Sequence, residues 1–179
     1  MILETQRLFL RQISRTDSIP YLKYLLDNKE FLEEWEPKRE DSDYSIEKIE
    51  NQIDKEIAKS QNKNAYLFLI IKKNTDEIIG TIKLWNIVYG PFMSCNIGYK
   101  LSKANINNGY MTEALIEIKK YCFTDLELHR IAANIMPKNV RSQKVLQKAG
   151  FELEGTSKKY LKINGVWEDH DNYVVINEV

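Results

Sequence analysis

Hydrophobic and polar residues recur with two different periods along this chain, and the two periods predict both helices and strands. Isoleucines lie three or four positions apart from Ile46 to Ile57, as on the buried side of an amphipathic helix. The uninterrupted apolar run at residues 66–71 predicts a strand covered on both faces, and Ile78–Val88 and Ser94–Leu101 predict two more strands. We expect these three strands to form an antiparallel meander.

Eight further elements follow from the same kinds of pattern. A strand and two helices precede the meander, at residues 7–13, 17–27 and 31–35. Two helices and three strands follow it, the helices at residues 109–123 and 139–149 and the strands at residues 130–135, 151–162 and 166–176. The predicted fold class is therefore α+β, a single domain over residues 1–179 with a mixed, mostly antiparallel central sheet flanked by helices on both faces.

Composition narrows the classes of function. The 26 basic and 26 acidic side chains cancel, so no overall field favours nucleic acid or an anionic membrane. No apolar run approaches the roughly 20 residues of a spanning helix, and the charged N-terminus is not typical of a signal peptide. We therefore expect a cytoplasmic protein without nucleic-acid or membrane partners.

The cysteines and histidines do not have the spacing of a metal site. Cys95 and Cys122 lie in apolar surroundings, which predicts buried, reduced thiols. His129 and His170 have no third ligand near them in the sequence, so no metal is expected.

The stretch between residues 98 and 114 has the pattern of an anion site. A strand ends at Leu101, a polar loop turns at Gly109, and an amphipathic helix begins immediately afterwards. The free N–H groups of the first helical turn, together with the positive end of the helix dipole, suit a pyrophosphate. An ordinary strand-to-helix turn that uses glycine has the same pattern, so this stretch alone leaves both interpretations open.

A second helix start lies within residues 137–151. Asn139 is a favourable N-cap, and Gly150 is a favourable residue for ending the helix. Ser142 falls one turn after Asn139, so the two polar side chains share a face near the helix start. Capping alone accounts for this helix, but it does not account for the interval that separates it from the preceding loop and helix.

The order of these motifs resembles that of a known enzyme family. GYKL at residues 98–101 is followed by GYMTEAL at 109–115, LHRIAA at 128–133 and P-x-N-x-x-S-x-x-V-L-x-K-x-G-F at 137–151. This order is similar to that of the GCN5-related N-acetyltransferases (GNAT), and more narrowly to the branch that acetylates the N-terminal alanine of ribosomal proteins. The opening ETQRLFLRQ and the closing NGVWEDHDNYVV also resemble that branch. The resemblance implies a GNAT fold, acetyl-coenzyme A as cosubstrate and a primary amine as acceptor.

The resemblance also implies roles for particular residues. Main-chain amides of the pyrophosphate-binding loop would hold the coenzyme A diphosphate, at Ile106, Asn107, Asn108, Gly109, Tyr110, Met111 and Thr112. A strand end would form β-type hydrogen bonds with the pantetheine arm, at Tyr99, Lys100, Leu101 and Ser102. Asn139 would hydrogen-bond the pantetheine, the catalytic Ser142 would lie near the thioester sulfur, and Lys144 would lie near the nucleotide end.

The loop departs from the family pattern at three positions. The motif usually begins with Gln or Arg and continues through a glycine-rich turn, where this chain has Ile106 and Asn107. Met111 stands where Gly or Ala is commoner, so Gly109 is the one firm match to the motif. Asn tolerates a positive φ angle better than most residues, so the turn can survive the change. Loss of the Gln or Arg side chain leaves a cofactor-poor or inactive relative as an alternative.

Attack of an amine on a thioester needs a neutral amine, a stabilised oxyanion and a leaving thiolate. An α-amine with a pKa near 7.7–8.0 needs only a weak base, whereas a lysine side chain near 10.4 needs a stronger one. Glu33, Glu34 and Glu36 are candidate bases, although a solvated acidic face is the favoured interpretation. We expect a backbone N–H near Lys100 to bind the oxyanion. Ser142 would donate a hydrogen bond to the thiolate, since a thiol is far more acidic than a serine hydroxyl.

Three functions are compatible with the sequence. The first is acetylation of the N-terminal alanine of a ribosomal protein. The second is acetylation of a small amine such as a polyamine, an amino acid or an antibiotic, and the third is coenzyme A binding without activity. The acidic segment at residues 33–43 suits a cationic partner and favours the first two. The sequence is also compatible with a homodimer.

Overall fold

A computed structural model describes residues 1–178 of the 179-residue chain. Within these residues one sheet contains eight strands, β1 (Ile2–Glu4), β2 (Leu8–Gln12), β3 (Tyr66–Lys72), β4 (Ile78–Val88), β5 (Ser94–Leu101), β6 (Arg130–Ile135), β7 (Glu152–Ile163) and β8 (Val166–Ile176). Over the same range there are five α-helices, α1 (Ser18–Asp27), α2 (Lys29–Leu32), α3 (Ile46–Gln61), α4 (Tyr110–Thr124) and α5 (Val140–Lys148). None of the helices in this range is long and apolar enough to cross a membrane.

The sheet is antiparallel except at one pair of strands. The strand order is β1-β2-β3-β4-β5-β6-β8-β7, and β5 pairs with β6 in parallel. Strands β3, β4 and β5 form the predicted meander, with Tyr66 opposite Leu84 and Leu84 opposite Ile97. The α+β class, the mixed sheet and its mostly antiparallel pairing are thereby confirmed.

Helices cover both faces of the sheet. This burial on two sides explains why the sequence of β3 is apolar without interruption. Phe68 and Ile70 belong to a core that contains residues of α4 and α5, including Leu115 and Leu146. The alternate residues Leu67, Leu69 and Ile71 belong to a second core that contains residues of α1 and α3. Since successive side chains of a strand point to opposite faces, a strand buried on both faces has no polar positions. Both cysteines are free and buried in the first core, as predicted.

The parallel contact between β5 and β6 is short. Three residue pairs join the strands, Ser94 with Arg130, Cys95 with Ile131 and Asn96 with Ala132. Beyond Asn96 the strand β5 continues to Leu101 beside β4 alone. The sheet is therefore split along the C-terminal half of β5, and this split positions the candidate site described below.

Two short elements differ from the prediction. Strand β1 was not predicted, because three residues carry too little periodicity to be recognised. Helix α2 covers Lys29–Leu32 rather than residues 31–35, because Asn28 both ends α1 and precedes α2. The Asn28 side chain donates to the carbonyl of Tyr24 at 2.9 Å and accepts from the Lys103 N–H at 2.9 Å, which fixes the break between the two helices.

Helix α3 offers a direct test of how its predicted stripe contributes to stability. Ile49 is fully buried, whereas Ile46, at the first position of the helix, is 40% exposed. We expect Ile49→Ala to lower the free energy of unfolding by about 2–5 kcal/mol, because it removes buried methyl groups and leaves a cavity. The control Ile46→Ala should change it by about 0.5 kcal/mol or less. Equal losses in urea titrations of the two variants would contradict this packing.

Candidate active site

A cavity of about 300 Å³ follows the open side of β5. Its walls come from the end of β5, the loop that precedes α4, the first turns of α4 and α5, and the segment after α2. The residues that line it are Phe31, Leu32, Trp35, Tyr99, Lys100, Leu101, Ile106, Asn107, Gly109, Tyr110, Met111, Thr112, Asn139, Arg141, Ser142, Lys144, Val145 and Lys148.

The loop before α4 forms the expected turn, although its sequence lacks the glycine-rich pattern of the family motif. Asn107 has a φ of 62° and Gly109 a φ of 79°, so both lie in the left-handed region that the turn requires. The first helical hydrogen bond of α4 runs from the N–H of Glu113 to the carbonyl of Gly109 at 3.0 Å. The N–H groups of Tyr110 and Met111 therefore have no hydrogen-bond acceptor within the helix, as at every helix start. With the helix dipole behind them, these N–H groups have the geometry that suits an anion, and both residues line the cavity.

A cluster from the N-terminal turn holds this loop in place. Glu113 in the first turn of α4 accepts from the Thr5 hydroxyl at 2.6 Å and from the Arg7 side chain at 2.7 Å. The Arg7 guanidinium also donates to the carbonyl of Asn108 at 3.0 Å and lies 4.5 Å from the ring centre of Tyr110. Burial alone would raise the pKa of Glu113, but the hydrogen bonds from Thr5 and Arg7 outweigh it and lower that pKa. The ionised carboxylate thus links the β1–β2 turn to the loop.

The main chain of β5 presents free hydrogen-bonding groups to the same cavity. Ser102 donates its N–H to the carbonyl of Ile79 at 2.7 Å, which continues the register of the β4–β5 ladder. Bonded and non-bonded pairs alternate in an antiparallel ladder, so Lys100 bonds to Thr81. The N–H and C=O groups of Tyr99 and Leu101 then point away from β4, on the side from which β6 has diverged.

Side chains of β5 and α5 meet at the bottom of the cavity. Asn139 caps α5 by accepting from the N–H of Ser142 at 3.1 Å, as predicted. The hydroxyl groups of Tyr99 and Ser142 are 2.7 Å apart, and the Tyr99 hydroxyl oxygen is also 3.1 Å from the Ser142 carbonyl oxygen, so its single hydrogen can be donated to one or the other. Burial raises the pKa of Tyr99 well above its ordinary value, so this phenol stays protonated. When Tyr99 donates its hydrogen to the Ser142 hydroxyl oxygen, the Ser142 hydroxyl hydrogen is free to point into the cavity.

The cavity is cationic. Arg141, Lys144 and Lys148 lie at spacings of three and four along α5, so they share the face of the helix that lines the cavity. Lys100 also lines the cavity, but it is paired with Glu36 and burial lowers its pKa, so it adds little net charge; no Asp or Glu is among the lining residues of the described chain. An anionic ligand therefore meets no like-charge repulsion from the cavity wall.

A second cavity of about 320 Å³ contains residues of the same stretch of β5. It shares Leu32, Trp35, Tyr99 and Lys100 with the first cavity, so the two meet beside β5. The residues that line the second cavity alone are Tyr21, Glu36, Arg39, Gln52, Leu67, Thr81, Lys83, Trp85 and Gly98. Two ligands that enter from these two cavities would therefore approach each other near Tyr99 and Lys100.

The acidic segment at residues 33–43 is partly engaged within the chain. Glu36 forms an ion pair with Lys100 at 2.5 Å, and Asp41 forms one with Lys29 at 2.6 Å. Asn164, at the tip of the β7–β8 hairpin, accepts from the N–H of Lys38 at 2.9 Å and donates to the Glu33 carbonyl at 2.8 Å. The hairpin thus holds in place the segment that carries Trp35 and Glu36. Of the three candidate bases, Glu36 is the one that lines a cavity.

Of the residues predicted to bind the cofactor or to act in catalysis, all line the first cavity except Ser102 and Asn108. Ser102 is buried, and its hydroxyl accepts from the side chain of Asn105 at 2.8 Å. The Asn108 side chain folds back onto the carbonyl of Ile106 at 3.0 Å. Sequence reasoning missed the cavity residues Phe31, Leu32, Trp35, Arg141, Val145 and Lys148. The helical spacing of Arg141 and Lys148 from Lys144 was a usable signal, whereas the segment after α2 was singled out for its carboxylates and not for its place on the wall of this cavity.

The fold and the sequence together place this chain in a class of protein, the GNAT acetyltransferases. Residues 7–152 match the family model described as acetyltransferase (GNAT) domain. The chain therefore belongs to the GNAT family and is an N-acetyltransferase, as its motifs predicted. Among residues 1–178, no three histidine, cysteine or carboxylate side chains are grouped so that they could hold a metal ion.

Comparison with individual relatives indicates the kind of acetyltransferase that this chain resembles. The Bacillus subtilis protein named probable N-acetyltransferase YjcK is 37% identical over 98% of this chain and 97% of its own. The crystal structure of ribosomal-protein-S5-alanine acetyltransferase from Vibrio fischeri superposes with a TM-score of 0.94, at 34% identity over 99% of this chain and 97% of that one. Mycobacterium smegmatis RimJ in complex with CoA-disulfide superposes with a TM-score of 0.91, at 28% identity over 96% and 82% of the two chains. Similarity to both RimJ-type structures agrees with the narrower resemblance.

The cluster around Glu113 generates a pH-dependent prediction. We expect Glu113→Gln to destabilise the protein by about 1–2 kcal/mol at pH 7, because Arg7 and Thr5 lose an ionised partner. Since folding lowers the pKa of Glu113, its contribution is present above the unfolded value of about 4.3 and is lost as the pH falls through the folded pKa.

Urea titrations of wild type and Glu113→Gln between pH 7 and pH 3 measure this contribution. The difference between them should shrink as the solution becomes acidic, while the control Glu117→Gln, one turn further along α4, should show little difference at any pH. A gap that stays constant with pH would show that the carboxylate charge does not stabilise the cluster.

Proposed function

We propose that this protein transfers the acetyl group of acetyl-coenzyme A to the N-terminal α-amine of a protein, and that N-terminal alanine of a ribosomal protein is its acceptor. The observation that carries the proposal is the meeting of two cavities beside the opened strand β5, at Tyr99 and Lys100. The name of the Vibrio fischeri relative, a ribosomal-protein-S5-alanine acetyltransferase, supports the choice of acceptor.

The first cavity suits coenzyme A in charge and in hydrogen bonding. The coenzyme is a polyanion, and Arg141, Lys144 and Lys148 offer cations without any carboxylate among the lining residues of the described chain. The N–H groups at the start of α4 suit its diphosphate. The exposed main-chain groups of Tyr99 and Leu101 suit the amides of a pantetheine arm, which can hydrogen-bond as an added strand would. The coenzyme in the related RimJ structure supports this assignment.

The atypical side chains of the loop do not favour an inactive protein. The diphosphate interaction uses main-chain N–H groups, and the conformation that presents them is formed with Asn107 at a positive φ. In place of a Gln or Arg at position 106, the guanidinium of Arg7 lies against the loop and bonds to its Asn108 carbonyl. Both features support binding of the diphosphate despite the departure from the family pattern.

Residues of β5 and α5 are placed to assist the transfer. Acetyl-coenzyme A supplies an activated thioester, whose carbonyl oxygen gains negative charge as the amine attacks. The N–H groups of Tyr99 and Leu101 flank Lys100 and point to the side where that oxygen would lie, and the one that the pantetheine arm leaves free can donate to it. The Ser142 hydroxyl, positioned by Tyr99, can donate to the departing thiolate. An α-amine is partly neutral near pH 7.5, so Glu36 or a water molecule suffices to accept its proton.

A panel of acceptors tests the proposed function. Purified protein with acetyl-coenzyme A should release free thiol fastest with peptides that begin with alanine and copy ribosomal-protein N-termini. The same peptides with a blocked N-terminus serve as matched controls and should give only background release. Polyamines, free amino acids and aminoglycosides complete the panel. Faster turnover with any of these than with every peptide would favour the small-amine alternative, and coenzyme binding without turnover on any amine would remove the proposal.

Ser142 offers a second test. Its main-chain N–H forms the helix cap with Asn139, so a substitution to alanine removes the hydroxyl and keeps the cap. We expect Ser142→Ala to lower kcat by about 10- to 100-fold, since the thiolate loses one hydrogen-bond donor, while the Kd for acetyl-coenzyme A changes little. Tyr99→Phe should have a smaller effect in the same direction, because Tyr99 acts by orienting Ser142. Steady-state kinetics and calorimetric titration separate the two quantities. An unchanged kcat in Ser142→Ala would exclude the residue from the mechanism.

A further inference from the structure

The cationic side chains that line the second cavity differ in whether they have an ion-pair partner. Lys100 is paired with Glu36 at 2.5 Å. Lys83 is paired at 2.9 Å with Glu56, which is 5% exposed and also accepts from Lys59 at 3.0 Å. Each of these lysines thus has a carboxylate within ion-pair distance, and Lys59 and Lys83 share that of Glu56.

Arg39 is the exception. Its guanidinium lines the second cavity and donates to the side-chain oxygen of Gln52 at 3.2 Å, and among residues 1–178 it has no ion-pair partner. Gln52 carries no charge, and burial raises the pKa of the nearby Tyr21 to about 12, so that phenol is neutral as well. The guanidinium therefore keeps an uncompensated positive charge and several free donors on the wall of the cavity.

We propose that Arg39 binds a carboxylate of the acceptor, so that the second cavity selects amines that carry an acidic group close to the nitrogen to be acetylated. A guanidinium presents parallel N–H donors that match the two oxygens of a carboxylate, and such charge-assisted pairs are stronger than neutral hydrogen bonds. The inference rests on the proposed function, because it takes the second cavity to be the acceptor site.

The carboxylate can come from two sources. In a protein N-terminus it would be the side chain of Asp or Glu within the first few residues, since a cavity of about 320 Å³ holds only a short stretch of chain. In a free amino acid it would be the α-carboxylate itself. Both sources present the same chemistry to Arg39, and acceptors that differ only in this group distinguish them.

The test uses acceptors in matched pairs. Tetrapeptide amides that begin with alanine carry Glu or Gln at the second or third position, and free alanine is compared with alaninamide. We expect wild-type protein to show a kcat/KM at least about 10-fold higher for the acidic member of one of these pairs. A preference within the peptides identifies a side-chain carboxylate, and a preference for alanine over alaninamide identifies the α-carboxylate.

Variants assign the preference to Arg39. Arg39→Gln should reduce kcat/KM about 10-fold more for the acidic acceptor than for its neutral partner, and Arg39→Lys should retain part of the preference. Lys38→Gln removes a neighbouring cation that does not line the cavity and should leave the preference as in wild type. Binding of acetyl-coenzyme A, measured in every variant, controls for folding.

The outcomes separate this inference from the function on which it rests. Turnover of alanine peptides without any acidic preference, or an equal loss on both members of a pair in Arg39→Gln, would overturn the role of Arg39 alone. A wild-type protein that binds acetyl-coenzyme A but acetylates none of the acceptors would overturn the proposed function and the inference with it.

Discussion

The early parting of β5 and β6 is the constraint on which the rest of this structure depends. Polar main-chain groups inside a sheet normally find partners on both sides, yet the half of β5 beyond Asn96 is paired on the β4 side alone. Such an edge in the middle of a sheet invites a ligand that can hydrogen-bond as a strand does. Two cavities share residues of this half of β5 in their walls.

Polar contacts between residues far apart in the sequence hold the walls of this opening in position. The cluster of Thr5, Arg7 and Glu113 joins the first strands to the start of α4, and the Tyr99–Ser142 hydrogen bond joins β5 to α5. On the other side, the hairpin tip at Asn164 holds the segment after α2. Each contact links an element that lines one of the two cavities to an element fixed by the core, so the cavity walls are held in place by residues distant in sequence.

Local patterns predicted the fold closely because most of its elements are periodic. Ile78–Val88, Ser94–Leu101, Arg130–Ile135 and Val166–Ile176 were predicted with the bounds that the structure has, since each has turn or loop residues at its ends. Strand β1 and helix α2 were missed or displaced because they are three and four residues long. At that length a cap or a neighbouring strand decides the structure, and periodicity does not.

The site was predictable only where its residues are close together in the sequence. The loop with Gly109 and the cap with Asn139 have local signatures, and both line the first cavity. The contact of Arg7 with the loop spans about a hundred residues, and the approach of Trp35 and Arg39 to β5 depends on how the helices pack. No spacing rule encodes such contacts, so apart from Glu36 the second cavity became visible only in three dimensions.

Amide hydrogen exchange along β5 tests the central claim most directly. If the outer side of the strand is unpaired, the N–H groups of Tyr99 and Leu101 should exchange rapidly in the free protein, while that of Lys100, bonded to β4, exchanges slowly. Addition of acetyl-coenzyme A should slow exchange at Tyr99 and Leu101 and leave Lys100 nearly unchanged. Uniform protection along β5 in the free protein, or no response to the coenzyme, would contradict the account.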